Sequence, residues 1–478
     1  MFIKNCIIDR YTDKNKNRQC ITSGIKHWGL SGYSSVLPRI KFGVTGQVCS
    51  PQSPTISYRR PLGKYFKKQP CKLKQNMRLI TLFLFLISFK ICVVGQNNDF
   101  RTIQKFHRNN KTYKLDEINS NNYDSIVILK LDKQNLKRFP KVIFKLRNIQ
   151  YLDISENNIR RIPCRIKKLE RLKILFASKN KLKKIPNSVT KLDSILILSA
   201  NDNGIKKISY RIGNLNKMIS LEISGNYLKK LPKSFSELES IEKLHLQGNK
   251  FKELSIDFNK LNNLAYIGLS SNELTTFPAT IGKASRLELI EAWNNQLKDL
   301  PESFSELKSL RKLILHENQF EKIPKSLLEL DKLQEVTFFQ NKINEIPEDI
   351  AKMNSLRVLN LSRNQLNALP SSIKQLERLE YLILSENNLT EFPIGVFELN
   401  RLISLDLDNN QISEIPANIN QLRKLKILYL QDNKICNIPE TLFELPELQY
   451  LYLDKDKFST EEQKEIKEKL KDKFVYFK

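Results

Sequence analysis

The stretch Leu382-Ile383-Leu384-Ser385-Glu386-Asn387-Asn388-Leu389-Thr390-Glu391-Phe392-Pro393 is repeated in nearly the same form 23 residues before it and 23 residues after it. Steps of 23 from Asn387 reach Gln134, Asn157, Asn180, Asn203, Asn226, Asn249, Asn272, Asn295, Asn318, Asn341, Asn364, Asn410, Asn433 and Asp456. That makes fifteen units without an insertion. Around each index residue, apolar side chains stand eight, five and three positions before it and two and five after it, as in Leu379, Leu382, Leu384, Leu389 and Phe392.

A proline usually follows six residues after the index, as Pro393 does here; Ser209 and Ser255 take its place in two units. The L-x-x-L-x-L-x-x-N-x-L pattern resembles the leucine-rich repeat family, whose repeats span 20–29 residues. The resemblance covers roughly residues 126 to 477. It implies an α/β fold: a right-handed solenoid or horseshoe of about fifteen repeats. A parallel β-sheet would line the concave face, with short helices and turns on the convex face.

Elementary physics leads to the same stack. The L-x-L step alternates apolar with polar, the period of a half-buried strand, and one such strand cannot bury its inner face alone. Copies must therefore lie side by side. An asparagine offers both an amide donor and a carbonyl acceptor, so a column of them can satisfy backbone groups that the ladder leaves unpaired. Gln134 and Asp456 interrupt the column only at its ends, where terminal repeats are expected to differ.

A solenoid buries its core unit by unit and escapes the usual ~150-residue domain limit. One long folded domain is therefore expected from the 478 residues. The net charge of +29 is unevenly spread. Residues 1–76 hold 15 Lys/Arg against Asp9 and Asp13, show no repeat, and read as a disordered basic extension.

From Met77 the chain reads MRLITLFLFLISFKICVVGQ, a basic start before a short apolar core interrupted by Lys90. This layout over 77–96 is that of a signal peptide, or of an uncleaved signal anchor, and it is too short for an ordinary ~20-residue span. A signal belongs at an N-terminus, so Met77 is expected to be the true start, with 1–76 an extension of the gene prediction. Residues 97–125 read as an N-terminal cap, 126–458 as the repeats, and 459–478 as a C-terminal capping helix and strand.

Both versions of the N-terminus put the repeats outside the cytoplasm, in a secreted or cell-envelope protein; a cytoplasmic location is the alternative. Only Cys164 and Cys436 lie in the repeats, about twelve units apart, too far to pair. The cysteine-rich caps of many extracellular family members are missing, which resembles bacterial or cytoplasmic members.

The sequence holds no Gly-rich phosphate loop and no His/Cys/Asp ligand cluster, and His27, His107, His245 and His316 are scattered. Neither an enzyme nor a cofactor or metal site is expected. What remains is surface recognition. Residues six, four, two and one before the index face the concave side, with neighbouring strands about 4.8 Å apart.

In the column two before the index, a run of small polar residues is broken by Trp293, His316 and Phe339 in consecutive repeats. They are expected to stack as an exposed aromatic ladder, with Glu291, Ile314, Thr337, Lys312 and Glu317 around it, the composition of a binding hot spot. The competing reading is local filling of the concavity. A second concave patch, Ile427, Tyr429, Tyr450 and Tyr452, lies near the C-terminal repeats, where a capping element is expected to fold over it.

Three and four residues after the index, the first five repeats read Lys137-Arg138, Arg160-Arg161, Lys183-Lys184, Lys206-Lys207 and Lys229-Lys230. Stacking would join these pairs into one basic ridge able to hold an anionic polymer or membrane head groups. Solvated lysines that keep the solenoid soluble are the plainer reading. Nucleic acid is disfavoured because no exposed aromatic residue is interleaved for base stacking.

The leading reading is therefore a non-enzymatic recognition module, acting as a monomer, that binds a protein or glycan on its concave face. An intracellular signalling scaffold like the Ras-pathway and plant leucine-rich-repeat proteins is the alternative. An effector-type specificity module is a further one.

Overall fold

The computed structural model describes residues 110–478. The basic stretch 1–76, the apolar segment 77–96 and the first part of the expected cap, 97–109, lie outside the described residues.

Fifteen three- or four-residue strands, from Ile128–Lys130 to Tyr450–Leu453, occur once per repeat and pair in parallel. Two further strands, Thr112–Tyr113 before them and Phe474–Phe477 after them, complete a 17-stranded sheet. Register follows the 23-residue step through all fifteen repeat strands, for example Leu382 opposite Leu405 and Leu359. Leu382 and its equivalents face inward, which is why the alternating L-x-L step appears as one continuous buried column.

The asparagine column is the seam of the stack. Asn387 donates from Nδ2 to the carbonyls of Leu361 (3.0 Å), Leu384 (2.9 Å) and Ser385 (3.4 Å), while its Oδ1 accepts the N–H of Leu366 at 3.0 Å. The same set recurs from Asn157 to Asn433, so each amide ties its own turn to the preceding repeat. At the last repeat, where the index residue is Asp456, the Asp454 carboxylate instead accepts the N–H groups of Asp432 (2.8 Å) and Asn433 (3.1 Å).

The residue just before the index has positive φ in repeat after repeat, including Lys179, Glu317, Arg363 and Glu386. A left-handed backbone costs a residue with a Cβ roughly 1–2 kcal/mol, and the neighbouring seam bonds hold it there. Gly225 occupies this position at φ +65, where a Cβ would lie 2.3 Å from Asp202 Oδ1.

On the convex side each turn is a short 3₁₀ segment entered from proline, as at Ser371–Gln375 after Pro370. Where proline is replaced the segments are Ile212–Asn214 and Phe258–Lys260, three residues as in some proline-bearing repeats such as Lys325–Leu327. Ser209 compensates by donating to Asn187 Oδ1 at 2.5 Å and accepting from Arg211 N at 3.1 Å. Near Ser255, Asp257 caps its turn by accepting from Asn259 N at 3.1 Å. The register is undisturbed.

Behind the sheet, Phe235, Phe251, Phe258, Phe304, Phe320 and Phe338 are among the largest fully buried side chains. At the C-terminus, Ser459 and Glu462 form a capping box that starts the helix Thr460–Lys469.

Candidate recognition surface

Strands Leu289–Glu291, Lys312–Ile314 and Glu335–Thr337 pair in register and carry Trp293, His316 and Phe339 two residues beyond their ends. Backbone bonds continue past the strands, with Asn294 N donating to His316 O (2.9 Å) and Glu317 N to Phe339 O (2.8 Å). The three rings are therefore brought side by side. The indole and imidazole stack with centroids 5.1 Å apart at 16°, and Phe339 meets His316 edge-on at 6.1 Å and 66°.

All three rings are half-buried, as are Glu291, Ile314 and Thr337 beside them. Burial pushes the His316 imidazole down to about 4, so it is neutral at physiological pH. Glu317 is pushed above the usual carboxylate range by burial, against the opposing pull of Arg363.

Lys312 does not stand free at the rim. Its ammonium lies 2.8 Å from Glu335 Oε1, and the two residues are only 2% and 5% exposed. Glu335 is the partner that single-column reading passed over; the signal was opposite charge one repeat apart in the column six before the index. Sequence reasoning also missed Arg363. Its guanidinium covers Phe339 at 5.3 Å and its Nε donates to Glu386 Oε1 at 2.7 Å. Arg363 sits one column over, beside the small Ser362, so a search down one column does not find it.

On the other flank, Tyr266 Oη donates to Glu291 Oε2 at 2.9 Å and accepts from Gln247 Nε2 at 2.6 Å. Gly268 makes this crossing feasible, since a Cβ there would lie 2.0 Å from Gln247 Nε2. The ladder is thus framed by a tyrosine–carboxylate network on one side and an arginine–carboxylate pair on the other.

At the C-terminal patch, Phe474–Phe477 pairs with the last repeat strand and extends the sheet, adding Phe474 and Tyr476 to the tyrosines. Tyr429 stacks on Tyr452 at 4.5 Å and 16°, Tyr452 meets Tyr476 at 5.9 Å, and Tyr450 meets Phe474 at 5.8 Å. Beside them Asp406, 1% exposed, accepts from Ser385 Oγ (3.0 Å) and Asp408 N (3.1 Å), and burial pushes its carboxyl up to about 7. Asp408 is pushed up by its own burial and then by Asp406.

All ten ridge residues, Lys137, Arg138, Arg160, Arg161, Lys183, Lys184, Lys206, Lys207, Lys229 and Lys230, are exposed. Lys184 and Lys207 lie on directly paired strands of a separate two-stranded sheet. The expectation that no exposed ring stands near them is overturned by Tyr227, 50% exposed, and Tyr210, 62% exposed. Each lies within three residues of a ridge lysine.

Among the described residues no group of three or more His, Cys, Asp or Glu is placed to hold a metal. No helix among them is long and apolar enough to cross a membrane.

A parallel sheet built from identical short repeats around an asparagine seam defines a class of repeat solenoid, and the comparisons identify the family. A leucine-rich repeat family model matches residues 124–182, 308–366, 331–389, 377–435 and 400–458. A solved leucine-rich repeat protein of Leptospira interrogans is 30% identical over 77% of this chain and 100% of its own, with a TM-score of 0.70. The chain belongs to the leucine-rich repeat family.

An internalin, InlF, of Listeria monocytogenes shares the fold at 22% identity, covering 70% of this chain and 88% of its own, TM-score 0.54. So does the ectodomain of the Arabidopsis receptor kinase HAESA, solved with an IDA peptide hormone, at 22% identity, coverage 72% and 69%, TM-score 0.54. No curated protein sequence matches the chain.

Proposed function

We propose that this protein is a non-enzymatic recognition module that binds a protein partner on its concave face, with Trp293, His316 and Phe339 as the anchor. The observation that carries this reading is the orientation of the rings. Trp293 and His316 each cover one face of the other at 16°, which leaves the pair fewer open faces than separate rings would offer. Edges carrying an indole N–H and a neutral imidazole suit the carbonyls, hydroxyls and apolar side chains of a protein surface. A sugar ring, which stacks on an open aromatic face, is served less well, and the glycan reading ranks second.

Rings framed by Glu291 and Arg363 also match the general anatomy of interfaces, in which aromatic and arginine anchors sit inside a polar rim. In the HAESA complex a solenoid of this fold holds a peptide ligand; that is an analogy of fold, which does not by itself fix function. The apolar segment from Met77 supports a location outside the cytoplasm. Sequencing the N-terminus of the natural protein tests this, and retention of residues 77–96 in a cytosolic fraction would contradict it.

The binding test is quantitative affinity capture from the native host with the wild-type chain and with Trp293→Ala. The partner is expected to be retained by the former and lost by the latter. Equal capture by both would remove the site.

A further inference from the structure

We propose that the flank of the first five repeats is a binding site for a linear anionic polysaccharide, separate from the concave ladder. Residues 126–233 contain 26 Lys/Arg against 7 Asp/Glu, whereas residues 234–478 contain 32 against 38. The positive charge of the repeats is therefore confined to one end of the stack. A surface that needed only solubility would intersperse both signs, as the later repeats do at the same two positions with Lys298-Asp299 and Glu321-Lys322.

The ridge cations are also left without internal counter-charges. Of the ten, only Lys230 has a carboxylate partner among the described residues, Glu253 at 3.7 Å, and that pair stands at the ridge's end. Pairing of the Lys184 and Lys207 strands sets their backbones one strand interval apart, about 4.8 Å. A linear polyanion carries its own condensed layer of cations. Ridge lysines and arginines that neutralise its anions release those cations, and the release supplies the driving force.

The shape of the ridge selects the polymer. It is two side chains wide and runs across the repeats, which fits a one-dimensional chain better than the plane of a lipid surface. Tyr227 and Tyr210, both exposed, flank its last two repeats, where each can stack on the C–H face of a sugar. Single-stranded nucleic acid stacks its successive bases on successive aromatic side chains, and the first three ridge repeats, Lys137 to Lys184, have no exposed large aromatic beside them.

The test uses the full chain and heparin as the probe, with affinity measured from 0.05 to 0.5 M salt. The variant Lys183→Ser/Lys184→Ser/Lys206→Ser/Lys207→Ser is expected to bind at least tenfold more weakly at low salt. The slope of log affinity against log salt should fall by about three, at roughly 0.7–0.9 per lost contact. Tyr227→Ala/Tyr210→Ala should weaken binding without changing the slope.

A control removing Lys322, Lys325, Lys332 and Lys342 should leave both quantities near wild type, and circular dichroism confirms that each variant is folded. The proposal is overturned if the control loses as much affinity as the ridge variant, or if the ridge variant binds heparin unchanged. It is equally overturned if single-stranded DNA or vesicles rich in anionic lipid compete better than heparin through the same four lysines.

Discussion

The Lys312 ammonium and the Glu335 carboxylate meet at 2.8 Å from adjacent strands, both withdrawn almost completely from water. Attraction within such a pair must repay a desolvation cost of several kcal/mol per ion. Removing one member strands the other. Lys312→Met is therefore expected to destabilise the stack by about 3–5 kcal/mol, while Lys312→Met/Glu335→Leu should come within about 1 kcal/mol of wild type. Denaturant unfolding of the three proteins measures this, and equal losses for single and double variants would show that the pair is not coupled.

The seam makes a different demand. Asn387 serves three carbonyls and one N–H, with only the Ser385 bond less than fully buried. Asn387→Ala takes one donor from each of the Leu361, Leu384 and Ser385 carbonyls, which keep Asn364 Nδ2, Asn410 Nδ2 and Arg363 N respectively. It leaves the buried Leu366 N–H without its partner, at roughly 1–3 kcal/mol. A loss of about 1–3 kcal/mol is expected, with hydrogen-exchange protection falling first in the repeats on either side. Loss of protection spread evenly over all repeats would contradict the nearest-neighbour character of the array.

At the recognition surface, Trp293→Ala should leave the unfolding midpoint within a degree or two of wild type, because the ring is only half-buried. A protein partner should lose about 2 kcal/mol or more of binding. The readout is a titration against the captured partner, with Ser270→Ala as a substitution in the same column outside the ladder.

Acidity offers a fourth test. The Asp406 carboxyl, near 3.8 when unfolded, is pushed up to about 7 in the folded chain. Between those values the native state holds a proton that the unfolded state has released, so stability is greatest at acid pH and declines as pH rises from about 4 to about 7. Asp406→Asn should flatten this dependence and raise the melting temperature above pH 7. A variant that retains the wild-type slope would shift responsibility to Asp408 or Asp454.

Much of the molecule was readable in advance because one residue period dictates it. The 23-residue step of Asn387 and Leu382 fixes the pairing of every repeat, and the column of Trp293, His316 and Phe339 placed their rings side by side. What escaped were contacts between columns and one charge pair within a column. Arg363 reaches sideways over Phe339, Tyr266 crosses above Gly268, and Lys312 turns to Glu335; side-chain length and vacant space decide these, and neither is written in a period.

The seam of amides has a further bearing on how partners are chosen. Because it clamps every strand to the next, the side chains of the inner wall stand like marks on a ruler that cannot be stretched between two divisions. A ligand is measured against whole divisions. Exchanging one complete unit for another should transplant a grip along the wall in discrete steps, so that new specificities arise by shuffling intact modules rather than by gradually bending the old one.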